Sequence, residues 1–169
     1  MASGKTTVAD HLCSKHDYRQ IALADPIYAI EEDLNTDKTN LDIYTEHIGQ
    51  YIPYDPMQQA MWFKIFDEAR NIKRETPKPR KRLQFIGTDG GRMRIDYYVW
   101  IKLADKRAEK LGGKIVIDDV RFINEYDFFK KQGWFPIKLF ITAEEQDARL
   151  KNLYGEYDPK ILQHMSELD

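Results

Sequence analysis

Residues 1–7 have the sequence MASGKTT, which is the strongest indication of the fold class of this chain. Its glycine, lysine and threonine at positions 4, 5 and 6 match the closing triplet of the pattern GxxxxGK[ST], whose leading glycine lies before Met1, outside the sequence. In that pattern a glycine-rich turn leads into a helix, and the free amides at the helix start face phosphate oxygens. The sequence therefore predicts a phosphate-binding loop, or P-loop, followed by a helix.

Each residue of this stretch has a specific expected contact. Lys5 is expected between the β- and γ-phosphates of a bound nucleotide, Thr6 is expected to ligate Mg²⁺, and the amides from Ser3 to Thr7 are expected at phosphate oxygens. Val8 and Leu12 lie four residues apart, as the apolar face of a helix requires. The alternative is a Gly-Lys-Thr triplet that only begins an amphipathic helix.

A second stretch, KIVI at residues 114–117, is β-branched and typical of a buried parallel strand. Asp118 and Asp119 follow it directly, where ligands bind in open α/β sheets. Either carboxylate is a candidate for organising Mg²⁺, and the alternative for each is a helix N-cap. Arg121 is expected at the same edge of the sheet, where a guanidinium can bind a phosphate with two hydrogen bonds.

Strand and helix patterns alternate along the rest of the chain. The predicted strands cover residues 20–24, 114–117 and 136–141, and the predicted helices cover residues 27–33, 57–72, 95–111 and 122–132. Asp55-Pro56 is the start signal of the second helix, whose apolar stripe begins at Met57, and Gly112-Gly113 caps the third helix. Residues 85–91, FIGTDGG, are predicted to form a loop because they contain three glycines. The alternation predicts an α/β fold with a doubly wound, mostly parallel sheet. Asp25 ends the first of these strands and is expected to project toward the same crevice, or to cap the Asp-Pro turn.

Composition narrows the classes of function. A chain of 169 residues with 42% hydrophobic content is expected to form one domain, and its single cysteine makes no internal disulfide. We expect a cytoplasmic protein without a membrane partner, because no apolar stretch approaches the roughly 18 residues of a span and no signal peptide is recognisable. Residues 70–82 hold seven basic residues, yet the formal charge is −2. This run is predicted to be a solvated face or a phosphate-attracting one, and no stable nucleic-acid partner is expected.

Five segments together resemble the bacteriophage-type deoxynucleoside monophosphate kinases, a branch of the P-loop kinases of nucleoside monophosphates. The segments are SGKTTVADHL, ALADPI, LQFIGTDGGRMRIDYYVW, IVIDDVRFINE and HMSE, and the resemblance covers nearly all of the chain. It implies a single three-layer α/β/α P-loop kinase domain over residues 1–169, with a helical acceptor-binding insertion at residues 27–94 and a short lid-like segment at residues 145–165.

The resemblance further implies transfer of the γ-phosphate of ATP to a deoxynucleoside monophosphate in the presence of Mg²⁺, in the host cytoplasm if the protein is phage-encoded. Its partners would be small-molecule nucleotides. The implied donor-phosphate contacts are Ser3, Gly4, Lys5, Thr6 and Thr7. The implied residues of the reaction crevice are Asp25, Arg92, Asp118, Asp119 and Arg121. The implied acceptor contacts are Gln84, Thr88 and Trp100, and the alternative for Trp100 is a core residue. The implied lid cations are Arg149 and Lys151, and the alternative is a surface helix with ordinary basic residues.

The sequence departs from this family at both ends. The family has a strand and a glycine before the position of Met1, and a further strand and helix after the element that matches His164, Ser166 and Glu167 here. Two alternatives therefore stay open: a P-loop kinase for another small acceptor such as dephospho-coenzyme A, and a nucleotide-binding remnant without turnover. The sequence also leaves open the preferred base and sugar and the oligomeric state, including a homodimer.

Overall fold

The structure is a computed structural model that describes residues 4–155, except for the side chains of residues 153 and 154. The chain divides into two compact units, which we call the strand unit (residues 1–20 and 113–169) and the helical unit (residues 21–112). All residues of the predicted insertion 27–94 belong to the helical unit. No helix in the described part of the chain is both long enough and apolar enough to cross a membrane.

Short strands and longer helices follow one another along the described residues. In chain order the elements are α1 (Lys5–His16), β1 (Tyr18–Ile21), α2 (Asp25–Asp33), α3 (Asn40–Tyr44), the π-helix π1 (Thr45–Gly49), α4 (Pro56–Asn71), α5 (Arg80–Gln84), the π-helix π2 (Phe85–Ile95), α6 (Val99–Leu111), β2 (Lys114–Ile117), α7 (Ile123–Lys131) and α8 (Ala143–Tyr154). Within these residues the structure is helix-rich α/β, and the three-layer arrangement stays a prediction.

The strand unit is built on the pair β1 and β2, which form a two-stranded parallel sheet. Gly113 precedes β2 with φ of 75°, and a Cβ atom there would lie 2.8 Å from Nη2 of Arg19. The backbone conformation therefore favours glycine at this position, whereas the flexible Arg19 side chain could move aside for a Cβ atom. Ala9 of α1, Phe129 of α7 and Leu150 of α8 are buried, so each of the three helices buries one apolar residue.

The predicted strand at residues 20–24 is shifted in the structure. The strand ends at Ile21, and α2 begins at Asp25, because the chain turns between Ala22 and Asp25 with a backbone hydrogen bond of 3.3 Å. Pro26 lies in the first turn of α2, where backbone N–H groups have no partner within the helix. Proline lacks this N–H, so its presence there costs no hydrogen bond. The helix predicted from residue 27 therefore starts two residues earlier.

The strand predicted at residues 136–141 does not form in the structure. The alternating pattern is present, but a strand also needs a neighbouring ladder to satisfy its backbone. No other described strand pairs with this segment, since the sheet consists of β1 and β2. As a result Phe135, Ile137 and Phe140 are 88%, 61% and 86% exposed.

The start of α4 in the helical unit confirms a prediction from the sequence. Asp55 is the N-cap, and its Oδ1 accepts hydrogen bonds from the backbone N–H groups of Met57 at 2.9 Å and Gln58 at 3.3 Å. The apolar stripe that follows is buried at Trp62, Ile65, Phe66 and Ala69. Met57 was expected on this stripe but is 79% exposed, because the buried stripe begins one turn later.

The loop predicted at residues 85–91 is wrong, since α5 continues directly into π2. The glycines allow close packing of this helix and do not make a turn. A Cβ atom at Gly90 would lie 2.7 Å from Cγ2 of Ile65, and one at Gly91 would lie 2.6 Å from Cζ2 of Trp100. A π-helix has a wider hydrogen-bonding ring and often occurs at functional positions.

The basic run at residues 70–82 is partly an internal ion-pair network. Arg82 is only 8% exposed, and its Nε donates to the carbonyl oxygen of Ile72 at 2.8 Å. Glu31 is 4% exposed, and its Oε1 lies 3.0 Å from Nε of Arg74 and 3.5 Å from Nη1 of Arg82. The prediction of a solvated face therefore applies only to the exposed residues of the run. Removal of either arginine or of Glu31 would therefore take an ion-pair partner away from a charged group, which is costly for a buried charge.

A cluster of charged side chains joins the end of α2 to π1. Asp33, Glu46 and His47 bring one ligand-type atom each within 4.8 Å of one another. The ammonium of Lys38 lies 2.7 Å from Oδ2 of Asp33 and 2.6 Å from Oε2 of Glu46, so the chain itself supplies the positive charge. Nε2 of His47 lies 2.6 Å from the same Asp33 oxygen.

This cluster predicts a loss of stability in acid. Burial raises the pKa of Asp33, but hydrogen bonds and attraction from His47 and Lys38 outweigh it and hold the pKa below the ordinary value of 3.8. A carboxyl whose folded pKa is depressed stabilises the fold fully above its unfolded pKa of about 3.9, and this contribution disappears as the pH falls through the folded pKa. We expect Asp33→Asn to have a lower free energy of unfolding than the wild type when both are unfolded in urea at about pH 6. At about pH 3 the difference between the two proteins should be smaller. A difference of the same size at both pH values would contradict this role of Asp33.

Candidate functional site

The start of α1 carries the predicted phosphate contacts. Gly4 is the N-cap of α1 with φ of 87°, a left-handed conformation that favours glycine. Its carbonyl oxygen accepts the first helical hydrogen bond, from the N–H of Val8 at 3.1 Å. Gly4 has no side chain with which to cap the amides of Lys5, Thr6 and Thr7. These amides and the positive end of the helix dipole suit the binding of an anion.

The structure brings Thr6 and Asp118 together. Oγ1 of Thr6 donates a hydrogen bond of 2.9 Å to Oδ2 of Asp118, although the two residues are 112 positions apart in the chain. Thr6 lies in the first turn of α1, and Asp118 follows the last residue of β2. The contact thus joins the two stretches of sequence from which a Mg²⁺ site was predicted. Hydroxyl and carboxylate oxygens are the ligand types that Mg²⁺ prefers.

Arg149 lies close to the same helix start. A Cβ atom at Gly4 would be 3.3 Å from Nη1 of Arg149, so the guanidinium packs directly against the N-cap. The next residue, Leu150, is 0% exposed, so this face of α8 is buried. The N-cap Thr142 accepts from the N–H of Glu145 at 3.2 Å and begins this helix. Part of the predicted lid, residues 145–154, is therefore helical.

The segment after β2 is held by the first turn of α7. Oε2 of Glu125 accepts hydrogen bonds from the backbone N–H groups of Arg121 at 2.8 Å and Phe122 at 3.1 Å. Glu125 is 2% exposed, so this cap is buried and orders the backbone that follows Asp119. Asp119 is half-buried and the side chain of Arg121 is exposed.

Asp25 lies in the helical unit, at the first position of α2. Its Oδ2 accepts from the backbone N–H of Ala22 at 2.8 Å and from Nη2 of Arg107 at 2.9 Å. Arg107 is a functional candidate that the sequence pattern does not reveal. Its partner lies 82 residues away, and the helical spacing of α6 contains no signal for such a pairing.

Trp100 has the contacts of a core residue. Its side chain is 1% exposed, its Nε1 donates to the carbonyl oxygen of Gly87 at 2.7 Å, and its ring lies 5.6 Å from that of Trp62. Gly87 is also close to α2, since a Cβ atom there would lie 3.0 Å from Cδ1 of Ile27. Trp100 therefore supports the stretch of π2 that packs against the helix bearing Asp25.

The other predicted acceptor residues lie on α5 and π2. Gln84 is the last residue of α5, and Thr88 and Arg92 belong to π2. Gln84 and Thr88 are exposed and Arg92 is half-buried. The helical unit thus carries Asp25, Gln84, Thr88 and Arg92 on helices that pack together, while the strand unit carries Lys5, Thr6, Asp118 and Arg149. Ser3 and the residues His164, Ser166 and Glu167 lie outside the described residues.

A comparison with known proteins finds a similar protein in a virus. The chain is 28% identical over 151 residues to a protein of Acanthamoeba polyphaga mimivirus that bears the name "Putative deoxynucleotide monophosphate kinase". The alignment covers 81% of this chain and 68% of the mimivirus protein. No protein-family model matches the chain.

Proposed function

We propose that this protein is a kinase that transfers the γ-phosphate of ATP to a deoxynucleoside monophosphate and forms the diphosphate. The observation that carries the proposal is the 2.9 Å hydrogen bond between Thr6 and Asp118, because it joins a Gly-Lys-Thr helix start to an acidic strand end. One fold can have many unrelated functions, so this contact does not identify the acceptor, which is inferred from other observations. These are the name of the mimivirus relative and the resemblance of the sequence motifs.

The proposed donor site lies at the start of α1. The amides of the first turn would bind the phosphate chain of ATP, and Lys5 would bridge its β- and γ-phosphates. Thr6 and Asp118 would hold Mg²⁺, because both offer oxygen ligands and already lie within hydrogen-bonding distance of each other. When bound, Mg²⁺ supplies positive charge to the β- and γ-phosphate oxygens.

The proposed transfer needs positive charge more than a strong base. An oxygen of the acceptor phosphate bonds to the γ-phosphorus while the bond from that phosphorus to the bridging oxygen of ADP breaks. Both reactants are anions, so catalysis consists mainly of positioning and charge neutralisation. Lys5, Arg92, Arg121 and Arg149 are the proposed cations. Arg149 is suited to this role because its guanidinium adjoins the helix start that would bind the donor phosphates.

The proposed acceptor site uses polar groups of the helical unit. Asp25, Gln84, Thr88 and Arg92 would contact the deoxynucleoside monophosphate, and Trp100 would support the helix that carries two of them. Asp119 would contribute from the end of β2. We further propose that residues 145–165 act as a lid that excludes water, since water would otherwise compete with the acceptor for the γ-phosphate.

A coupled assay of ADP release, run with each of the four deoxynucleoside monophosphates, tests the proposal. We expect ADP release to require both a deoxynucleoside monophosphate and Mg²⁺ and to stop when EDTA is added, because the phosphate charge is then no longer neutralised. Asp118→Asn is expected to lower kcat at least about tenfold through weaker metal binding. Asp127→Asn, an exposed acid of α7, is the matched control and should leave the rate unchanged.

Three outcomes would contradict the proposal. Transfer to dephospho-coenzyme A without transfer to any nucleotide would indicate a different acceptor. Binding of ATP without any ADP release would indicate a remnant without turnover. Full activity of Asp118→Asn in limiting Mg²⁺ would remove Asp118 from the metal site.

A further inference from the structure

Arg107 of α6 holds the turn that precedes α2. Its Nη1 donates to the carbonyl oxygen of Ala22 at 3.3 Å, and its Nη2 donates to Oδ2 of Asp25 at 2.9 Å. The turn also closes on itself, since the N–H of Ala22 donates to Oδ2 of Asp25 at 2.8 Å. One guanidinium therefore contacts both ends of the turn. Arginine suits this task because its planar group presents several donors in fixed directions.

These contacts use only one of the two carboxylate oxygens of Asp25. Oδ2 accepts two hydrogen bonds, whereas Oδ1 accepts none from any residue between 4 and 155. The Asp25 side chain is 45% exposed, so the carboxylate remains accessible, while the Arg107 side chain is only 21% exposed. An ionised carboxylate has about four acceptor sites, so Asp25 retains capacity for further donors.

A structural role alone explains the Ala22 contact but not this arrangement. The hydrogen bond from the N–H of Ala22 and the favourable dipole at the start of α2 already provide a reason for an acid at position 25. Arg107 adds a charged partner that fixes the carboxylate in one orientation and leaves one oxygen accessible. Fixed orientation of an accessible polar group is the usual requirement for recognising a ligand group.

We propose that Arg107 is a positioning residue that holds Asp25 so that its second carboxylate oxygen accepts a hydrogen bond from a neutral donor group of the acceptor. The inference rests on the proposed function, because it concerns the acceptor of that reaction. A carboxylate repels phosphate, so the group that Asp25 recognises is a hydroxyl or an amine and not the acceptor phosphate. The 3′-hydroxyl of the sugar and an exocyclic amine of the base both have this chemistry.

Steady-state kinetics of Arg107→Met test the inference. We expect the KM for the deoxynucleoside monophosphate to rise about tenfold, because a charge-assisted contact is lost, while the KM for ATP changes less than about twofold. Asp25→Ala should raise the same KM, and the double variant should resemble Asp25→Ala alone, since Arg107 acts through Asp25. Lys102→Met is the matched control, because Lys102 lies on the same helix as Arg107 and its replacement removes a 2.5 Å ion pair with Asp96; it should leave both KM values unchanged.

Arg107→Lys keeps the charge and serves as the second variant if Arg107→Met unfolds. Lysine cannot contact Ala22 and Asp25 with a planar fork, so we expect the acceptor KM to lie between those of the wild type and Asp25→Ala. An acceptor without the 3′-hydroxyl distinguishes the two donors. If the sugar hydroxyl is recognised, Arg107→Lys and the wild type should have similar KM values for it; if a base amine is recognised, the difference should persist.

The inference and the proposed function fail in different ways. If the wild type transfers phosphate to a deoxynucleoside monophosphate but neither Arg107 variant changes the acceptor KM, the inference is overturned and the function stands. If Arg107→Lys changed the KM for ATP and the KM for the acceptor equally and lowered the unfolding midpoint, Arg107 would only stabilise the fold. This result would also overturn the inference. If the wild type transfers phosphate to no deoxynucleoside monophosphate, both are overturned.

Discussion

Replacement of Lys5 by methionine is expected to lower kcat for phosphoryl transfer by about 10²- to 10³-fold, the usual cost of removing one charge-stabilising group from a transition state. Lys5 is the first residue of α1, directly after the left-handed Gly4, at a helix end suited to binding phosphate. Methionine keeps most of the apolar stem of lysine, so the loss should reflect the missing ammonium. The measurement is steady-state ADP release with saturating ATP and acceptor.

Lys15→Met provides the matched control for Lys5→Met. Lys15 is an exposed residue in the last turn of the same helix, far along α1 from the N-cap. Its replacement should leave kcat unchanged, and circular dichroism should show the same helix content for both variants. If Lys5→Met retained near-normal kcat, the proposed donor site at the start of α1 would be wrong. A fall in kcat of the same size in both variants would instead indicate a general effect of removing charge from α1.

Replacement of Trp100 by alanine is expected to lower the free energy of unfolding by about 3–5 kcal/mol, the typical range for truncating a large buried aromatic side chain. Trp100 is 1% exposed, packs against Trp62 and lies so close to Gly91 that a Cβ atom there would be 2.6 Å from its ring. The truncation therefore removes the surface on which π2 rests. Urea unfolding followed by circular dichroism measures the change.

Tyr97→Ala is the control for Trp100→Ala, because Tyr97 is 50% exposed and lies just before the same helix. Its stability should change by less than about 0.5 kcal/mol, as expected of surface positions. Trp100→Phe separates the hydrogen bond from the packing, and its cost of about 1–3 kcal/mol reflects an unpaired carbonyl at Gly87. If Trp100→Ala kept normal stability and only raised the acceptor KM, Trp100 would contact the acceptor and would not be a core residue.

The helices with strong end signals could be predicted from the sequence. The Asp55-Pro56 pair predicted the start of α4, and Gly112 predicted the end of α6, because caps depend on residues within one turn of the helix end. The strand β2 was predicted at its observed residues, since a β-branched run favours an extended backbone. Each of these features depends on interactions between near neighbours in the chain.

Features that depend on distant partners could not be predicted in the same way. Residues 85–91 were predicted to form a loop because glycine usually favours turns, but Gly90 and Gly91 provide room for Ile65 and Trp100. Residues 136–141 have the alternation of a strand but no partner among the described strands. Residues close in sequence do not indicate which distant side chain packs against a glycine or which strand pairs with a segment.

The candidate site shows the same division. The residue types in GKT and in the acidic end of β2 are enough to predict phosphate and metal chemistry, because that chemistry belongs to the side chains and to the start of a helix. Only the tertiary structure pairs Thr6 with Asp118 across 112 residues and Arg107 with Asp25 across 82. Local sequence thus accounts for the helices with clear end signals, for strand β2 and for the chemical groups. Which groups meet follows from the packing of distant segments, because contacts between distant residues do not depend on near neighbours.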